Sequence, residues 1–312
     1  MTRTWYRVAL ARPGGVPAVV AVAGEHMGIA VAAAERHAPG SFAIAAEIAD
    51  ESQIPLGESL GKLTVVELGA APELPVFHWP VGVLPKLSAA AAASGARRGW
   101  IHRPDPGLQV IEAQTTADHL TDLFLGMIER LPSADNLEVR VLDHFQDAER
   151  TDARSEAVRG GDPAGFAGGA GGKAPRGIDA RSEAVWLTAR VDARRILRVL
   201  DDHDEELLGN GHLELAVYLR AQRATLRLTE HKTVVWLAGD RALHAEVERW
   251  LRELDVPEVD ALVTVKDAPH FHYRPARSRD RKGLGEALYR ERLRRVDTRK
   301  PPPGGVRAPR ER

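Results

Sequence analysis

The alternation of apolar and polar residues divides the chain into short strands and amphipathic helices. Residues 5–11 and 18–23 read as two strands joined by a Pro13-Gly14-Gly15 turn. Over residues 26–37, Met27, Ala30, Val31 and Ala34 recur at helical spacing, and Pro39-Gly40 stops the helix. Residues 42–48 and 63–68 read as two more strands. The order ββαββ predicts a small N-terminal domain over 1–71, with one helix layer on one sheet.

Prolines punctuate residues 72–106, which are expected to connect two domains. His78-Trp79-Pro80 and Trp100-Ile101-His102 are too apolar for a free linker and are expected to pack on a domain surface.

The pattern is clearest over 107–265. Residues 108–113 read as a strand. A helix over 118–131 carries Leu120, Leu123, Phe124, Met127, Ile128 and Leu131 on one face, and Thr115 and Asp118 have capping-box spacing before it. Residues 137–145 alternate as a half-buried strand does, and 185–191 read as another. Asp192 is placed to cap a helix with the stripe Ile196, Val199, Leu200, His203 and Leu207, which Gly209-Asn210-Gly211 ends. Strands over 213–220, 225–229 and 233–238 follow, with turns short enough to make neighbours antiparallel. A helix with Leu243, Val247, Trp250, Leu251 and Leu254 on one side comes next. The predicted fold class is α+β: a small ββαββ N-terminal domain and a ferredoxin-like (βαββαβ plus ββα) antiparallel-sheet second domain. That topology hosts many functions and implies none.

Asp152-Ala153-Arg154-Ser155-Glu156-Ala157-Val158 recurs identically as residues 179–185, with a glycine-rich stretch between. This reads as an in-frame insertion with a duplicated end, placed at a hairpin tip. Residues 148–184 are therefore expected to be a disordered loop.

Composition narrows the chemistry. The 312 residues contain no cysteine, which excludes thiol nucleophiles, disulfides and cysteine-based zinc or Fe–S sites. The apolar runs are too short to span a bilayer, and no signal sequence is visible. The expected setting is soluble and cytoplasmic, without a membrane partner. Gly168–Lys173 lacks both the leading glycine and the final hydroxyl of a phosphate-binding loop, and no cofactor is expected.

Charge is uneven. Residues 266–312 hold 15 Lys/Arg against 6 Asp/Glu, although the whole chain has a net charge of −1. They read as a basic tail with a short helix over 284–296 and a disordered end. Arg274, Arg277, Arg279, Arg281, Lys282, Arg290, Arg292, Arg294 and Arg295 are candidate contacts for nucleic acid or an acidic partner, with Tyr273 and Tyr289 able to stack on bases. Against this, Arg greatly outnumbers Lys along the whole chain, which fits a surface composition bias.

His270 and His272 form the best metal-like pair. At i and i+2 on an extended segment they point the same way, and Asp267 is the candidate third ligand. With 12 histidines in the chain, a single such pair also arises by chance. The leading expectation is a non-catalytic interaction or scaffold protein that binds a protein partner or self-associates. Nucleic-acid binding through the basic segment is the first alternative. An enzyme with a noncontiguous, metal-assisted site at His270, His272 and Asp267 is the second.

Overall fold

The computed structural model describes residues 4–49, 54, 65–142, 184–239 and 241–296. Helices and antiparallel sheets coexist in it, so the chain is α+β. The stretch expected as an inserted loop, 148–184, lies almost wholly outside the described residues, as does everything after residue 296.

The N-terminal elements are β1 (Thr4–Ala11), β2 (Ala18–Gly24), α1 (Met27–His37), β3 (Phe42–Ile48) and β4 (Val65–Ala70). They form a four-stranded sheet in the order β3-β1-β2-β4. Period-two alternation sends Tyr6, Val8 and Leu10 to the face covered by Met27, Ala30, Val31 and Ala34 of α1. Ala9 and Ala11 face the other way, in a cluster with Ile44, Ala71 and Ala90.

Residues 72–106 contribute two strands, β5 (Val83–Pro85) and β6 (Gly99–Arg103). Trp100 of β6 is fully buried in the largest core. That core belongs to an eight-stranded sheet. Its remaining elements are β7 (Gln109–Gln114), α2 (Leu120–Arg130), β8 (Asn136–Val141), β9 (Ala184–Leu187), α3 (Ala193–Asp202), α4 (Asp204–Leu207), β10 (Leu213–Leu219), β11 (Ala224–Leu228), β12 (Val234–Ala238) and α5 (Arg241–Glu253). Then come β13 (His270–His272), α6 (Arg281–Arg290) and β14 (Arg294–Val296).

The strand order β14-β9-β8-β10-β11-β12-β7-β6 differs from the split-βαβ order expected from the sequence. That arrangement sets its first strand among the later strands of its own unit. Here β7 instead pairs with β12 and β6, both antiparallel. The run of short turns from β10 to β12 carries the sheet outward as a meander, and β7 closes on the end of it. One face of the sheet presents Val139, Leu215, Val217, Leu226, Trp236 and Ile111 to α2, α3, α5 and α6. The opposite face carries ion pairs, such as Arg227 to Glu214 at 3.0 Å.

The capping box expected at Thr115 and Asp118 does not form. A 3-10 turn starts after Thr116 instead, and the Asp118 carboxylate faces the rings of His78 and His119, each 3.6 Å away. Asp192 does cap its helix, accepting from the Arg195 amide at 2.9 Å. His203 lies between α3 and α4 rather than on the buried stripe, with Nε2 3.6 Å from Glu291.

The basic C-terminal segment is built into the fold as far as residue 296. Asp280 caps α6 by accepting from the Gly283 amide at 2.7 Å, so this helix starts three residues before the predicted one. Arg292 takes a left-handed conformation (φ 64°) that ends it. Leu284, Leu288 and Leu293 enter the large core, and β14 pairs with β9 at the sheet edge. Glu206 in α4 accepts from the Arg279 amide at 3.0 Å and pairs with its guanidinium.

Candidate metal centre

Three segments distant in sequence meet at one cluster. His270 and His272 sit on β13, where alternation turns both rings to one side and sends Phe271 into the N-terminal core. β13 is held from two directions. It pairs with β5 in the register His270↔Pro85, Phe271↔Leu84 and His272↔Val83. On the other side, the Gly211 amide donates to the Tyr273 carbonyl at 3.0 Å. Gly82 and Gly211 allow this approach: a Cβ on Gly211 would lie 1.9 Å from the Gly82 carbonyl oxygen.

The third ring is His231, in the turn between β11 and β12. The Lys232 amide closes that turn on the Thr229 carbonyl at 2.9 Å, with Lys232 itself left-handed (φ 62°). The Lys232 side chain is fully buried and its Nζ donates to the Asn210 carbonyl at 2.6 Å. Burial brings its pKa down to about 7, against the pull of Glu230 and Glu214. The same 209–211 turn therefore holds the His231 hairpin through Lys232 and the β13 strand through Gly211.

The hydrogen bonds fix the tautomers. His270 Nδ1 lies 2.7 Å from the Ala268 carbonyl, and His272 Nδ1 lies 2.7 Å from the Gly211 carbonyl. A carbonyl oxygen only accepts, so each Nδ1 carries the hydrogen. Each neutral ring then has a lone pair on Nε2, and the two Nε2 atoms face one another at 3.1 Å. Two acceptors at that distance call for a cation between them. His231 completes the group: its ring centroid lies 5.0 Å from that of His270 and 5.1 Å from that of His272. One ligand atom from each ring falls within 4.8 Å of the others. His231 Nδ1 is 3.2 Å from Glu230 Oε1, so the ring has an orienting partner.

A proton is a poor occupant. Burial, then the charge of His270 and Lys266, pushes the His231 pKa down to about 3. Burial also lowers that of His270. Burial thus favours the neutral form of His231 and His270, the form that binds a metal ion.

Asp267 is not among the three. Its Oδ2 accepts from the Thr264 amide at 2.7 Å and from the Thr264 hydroxyl at 3.1 Å, which makes it the capping residue of a 3-10 turn. The place expected for Asp267 is taken by His231, which no local spacing connects to the other two. The one sequence clue was the polar Glu230-His231-Lys232 between two strong strands.

Beside the cluster, Glu214 is pushed up to about 7, first by burial and then by its hydrogen bond to Glu230 and the charge there; Arg227 and Arg140 oppose this. A folded-state pKa above the ordinary carboxylate range means the fold gains stability from the protonated form. That gain is complete below the unfolded pKa and is lost as pH rises through about 7. The lowered pKa values of His231 and Lys232 act in the opposite sense over the same range, so the Glu214 contribution is read by difference. Between pH 5 and pH 8 the urea midpoint of metal-free Glu214→Gln should fall less, or rise more, than that of the parent.

The basic residues fall into three groups. Arg274 donates to the Ser278 carbonyl at 2.6 Å, Arg279 pairs with Glu206, and Arg294 packs over the Tyr289 ring at 5.6 Å. Arg277 and Arg292 are exposed. Arg281, Lys282, Arg290 and Arg295 line one open cavity of about 880 Å³ together with Trp186 and Tyr289. Tyr273 is buried in the N-terminal core and is not placed to stack on a base.

Among the described residues, no helix is long and apolar enough to cross a membrane. Compared with known proteins, the chain matches no family model, no curated protein and no solved structure.

Proposed function

We propose that this chain is a metalloprotein that holds one divalent ion of the zinc class on His231, His270 and His272. The observation that carries the reading is the pair of Nε2 acceptors 3.1 Å apart, each oriented by a backbone carbonyl behind it. Imidazole is a preferred donor for zinc and its first-row neighbours, and backbone or carboxylate partners on the outer nitrogen are the usual means of aiming such ligands. Three protein ligands leave a fourth position for water or a substrate oxygen, the donor set of metal-assisted hydrolysis and hydration. The His231 side chain, 21% exposed, provides the side open to solvent. A purely scaffolding role for a protein partner gives no account of this arrangement.

The test is metal analysis of the purified full-length chain after exhaustive dialysis. One zinc-class ion per chain is expected. Its removal by a chelator should lower the unfolding midpoint, and added Zn2+ should restore it. A chain that neither retains nor rebinds an ion would overturn the reading.

Nucleic-acid binding is the second reading, favoured by the cavity that gathers Arg281, Lys282, Arg290 and Arg295 beside two aromatic rings. Single-stranded RNA binding that weakens steeply with salt in the parent, and less steeply in Arg281→Ala/Arg290→Ala, would support it. Equal binding by both chains at every salt concentration would remove it.

A further inference from the structure

A second cluster lies on the helix-covered face of the large sheet, at the edge strand. His102 is on β6, two residues after the buried Trp100 and on the same side of the strand. The Trp100 ring meets it edge-on, with centroids 5.2 Å apart. His244 and Glu248 are four residues apart on α5 and so project from one helix face. His244 Nε2 is 3.2 Å from His102 Nδ1 and 3.7 Å from Glu248 Oε1. His102 Nε2 is 3.4 Å from the same carboxylate oxygen.

These separations are long for hydrogen bonds to a carboxylate, which fall at about 2.7–3.2 Å. An imidazole gives an ion one nitrogen, so His102 offers either Nδ1, 3.2 Å from His244 Nε2, or Nε2, 3.4 Å from Glu248 Oε1. Either distance is close to the separation of about 3.3 Å between donors about 2.0–2.1 Å from a tetrahedral zinc. One ligand atom from each of the three residues falls within 4.8 Å of the others. The second carboxylate oxygen of Glu248 faces Arg252 at 3.5 Å, which leaves Oε1 turned toward the rings. His244 is buried, while the His102 side chain is 48% exposed, so the cluster opens to solvent.

We propose that His102, His244 and Glu248 form a second, solvent-open site for a divalent transition metal, joining β6 at the sheet edge to α5. Two imidazoles and one carboxylate favour zinc and its first-row neighbours over magnesium or calcium, which prefer all-oxygen sites. The remaining coordination positions face water. Greater exposure makes exchange faster here than at the more buried three-histidine centre. The inference stands independently of that centre, since the two share no residue.

The test is a Zn2+ titration of the full-length chain, metal-free at the start, by calorimetry. The parent should bind two equivalents, the second more weakly. His102→Ala changes an exposed side chain and should lose the second equivalent while keeping the first. Glu248→Gln should weaken the second at least tenfold. His231→Ala should lose the other equivalent and keep this one. A His102→Ala chain that still binds two equivalents, or a parent that binds one equivalent lost in His231→Ala, would overturn the proposal. Loss of one equivalent in His102→Ala but none in His231→Ala would instead sustain this site and remove the three-histidine reading.

Discussion

Replacing His272 by alanine should weaken Zn2+ binding at the three-histidine centre by more than about 100-fold, since changes to outer-shell partners alone cost about 10–100-fold. His272 supplies one of the two facing Nε2 atoms, and its Nδ1 is tied to the Gly211 carbonyl at 2.7 Å. Removing the ring takes away a ligand and leaves His270 Nε2 without the atom opposite it. Competition against a chromogenic chelator reads the affinity directly. Asp267→Asn is the informative comparison. Asp267 serves the cap at Thr264, so its replacement should cost about 1 kcal/mol of stability and leave the affinity within a few fold. An affinity that collapsed in Asp267→Asn and survived in His272→Ala would restore the ligand set that the sequence alone suggested.

Gly211→Ala should be strongly destabilising at the seam where the 209–211 turn meets β5 and β13. Its Cβ would sit 1.9 Å from the Gly82 oxygen and 2.8 Å from the Gly82 carbonyl carbon, with the Tyr273 amide at 3.1 Å. All three are backbone atoms, so relief requires the 209–211 turn to move away from β5 and β13. That movement breaks the Gly211–Tyr273 hydrogen bond and displaces the acceptor of His272 Nδ1. The expected cost is about 3 kcal/mol or more, with loss of metal affinity beside it. Gly239→Ala, where a Cβ would meet nothing within 4 Å, serves as the control and should change the urea midpoint little. Equal effects of the two substitutions would mean that the seam is not packed as described.

Local pattern carried much of this architecture, and pairing carried the rest. The alternation in β10 is strong because one face meets α2 and α3 while the other meets ion pairs, so the register is written into consecutive residues. The apolar stripe of α2 and the Asp192 cap were readable for the same reason. β5 and β13 are three residues each and pair across a long stretch of chain, so neither has a local signal that names its partner. The position of β7 beside β12 is likewise a choice between non-local pairings that local alternation does not encode.

The site shows the same division. The His270 and His272 spacing on an extended segment was visible, because side-chain direction follows from strand geometry. His231 was not, because only the folded 209–211 turn brings its hairpin to β13. Thr264-Val265-Lys266-Asp267 has the capping-box spacing that failed at Thr115 and Asp118, so spacing alone did not separate a cap from a ligand. The basic segment misled in the opposite sense. Its charge density suggested a free arm, yet Leu284, Leu288 and Leu293 are spaced to bury one side of it.

The most direct measurement is zinc-edge X-ray absorption on the full-length chain loaded with one equivalent of Zn2+. The first shell should be dominated by three imidazole nitrogens at about 2.0–2.1 Å, plus one light-atom ligand at the open position. The outer-shell imidazole scattering should be lost in His270→Ala. A six-oxygen shell like that of hydrated zinc, or a spectrum unchanged by His270→Ala, would contradict it.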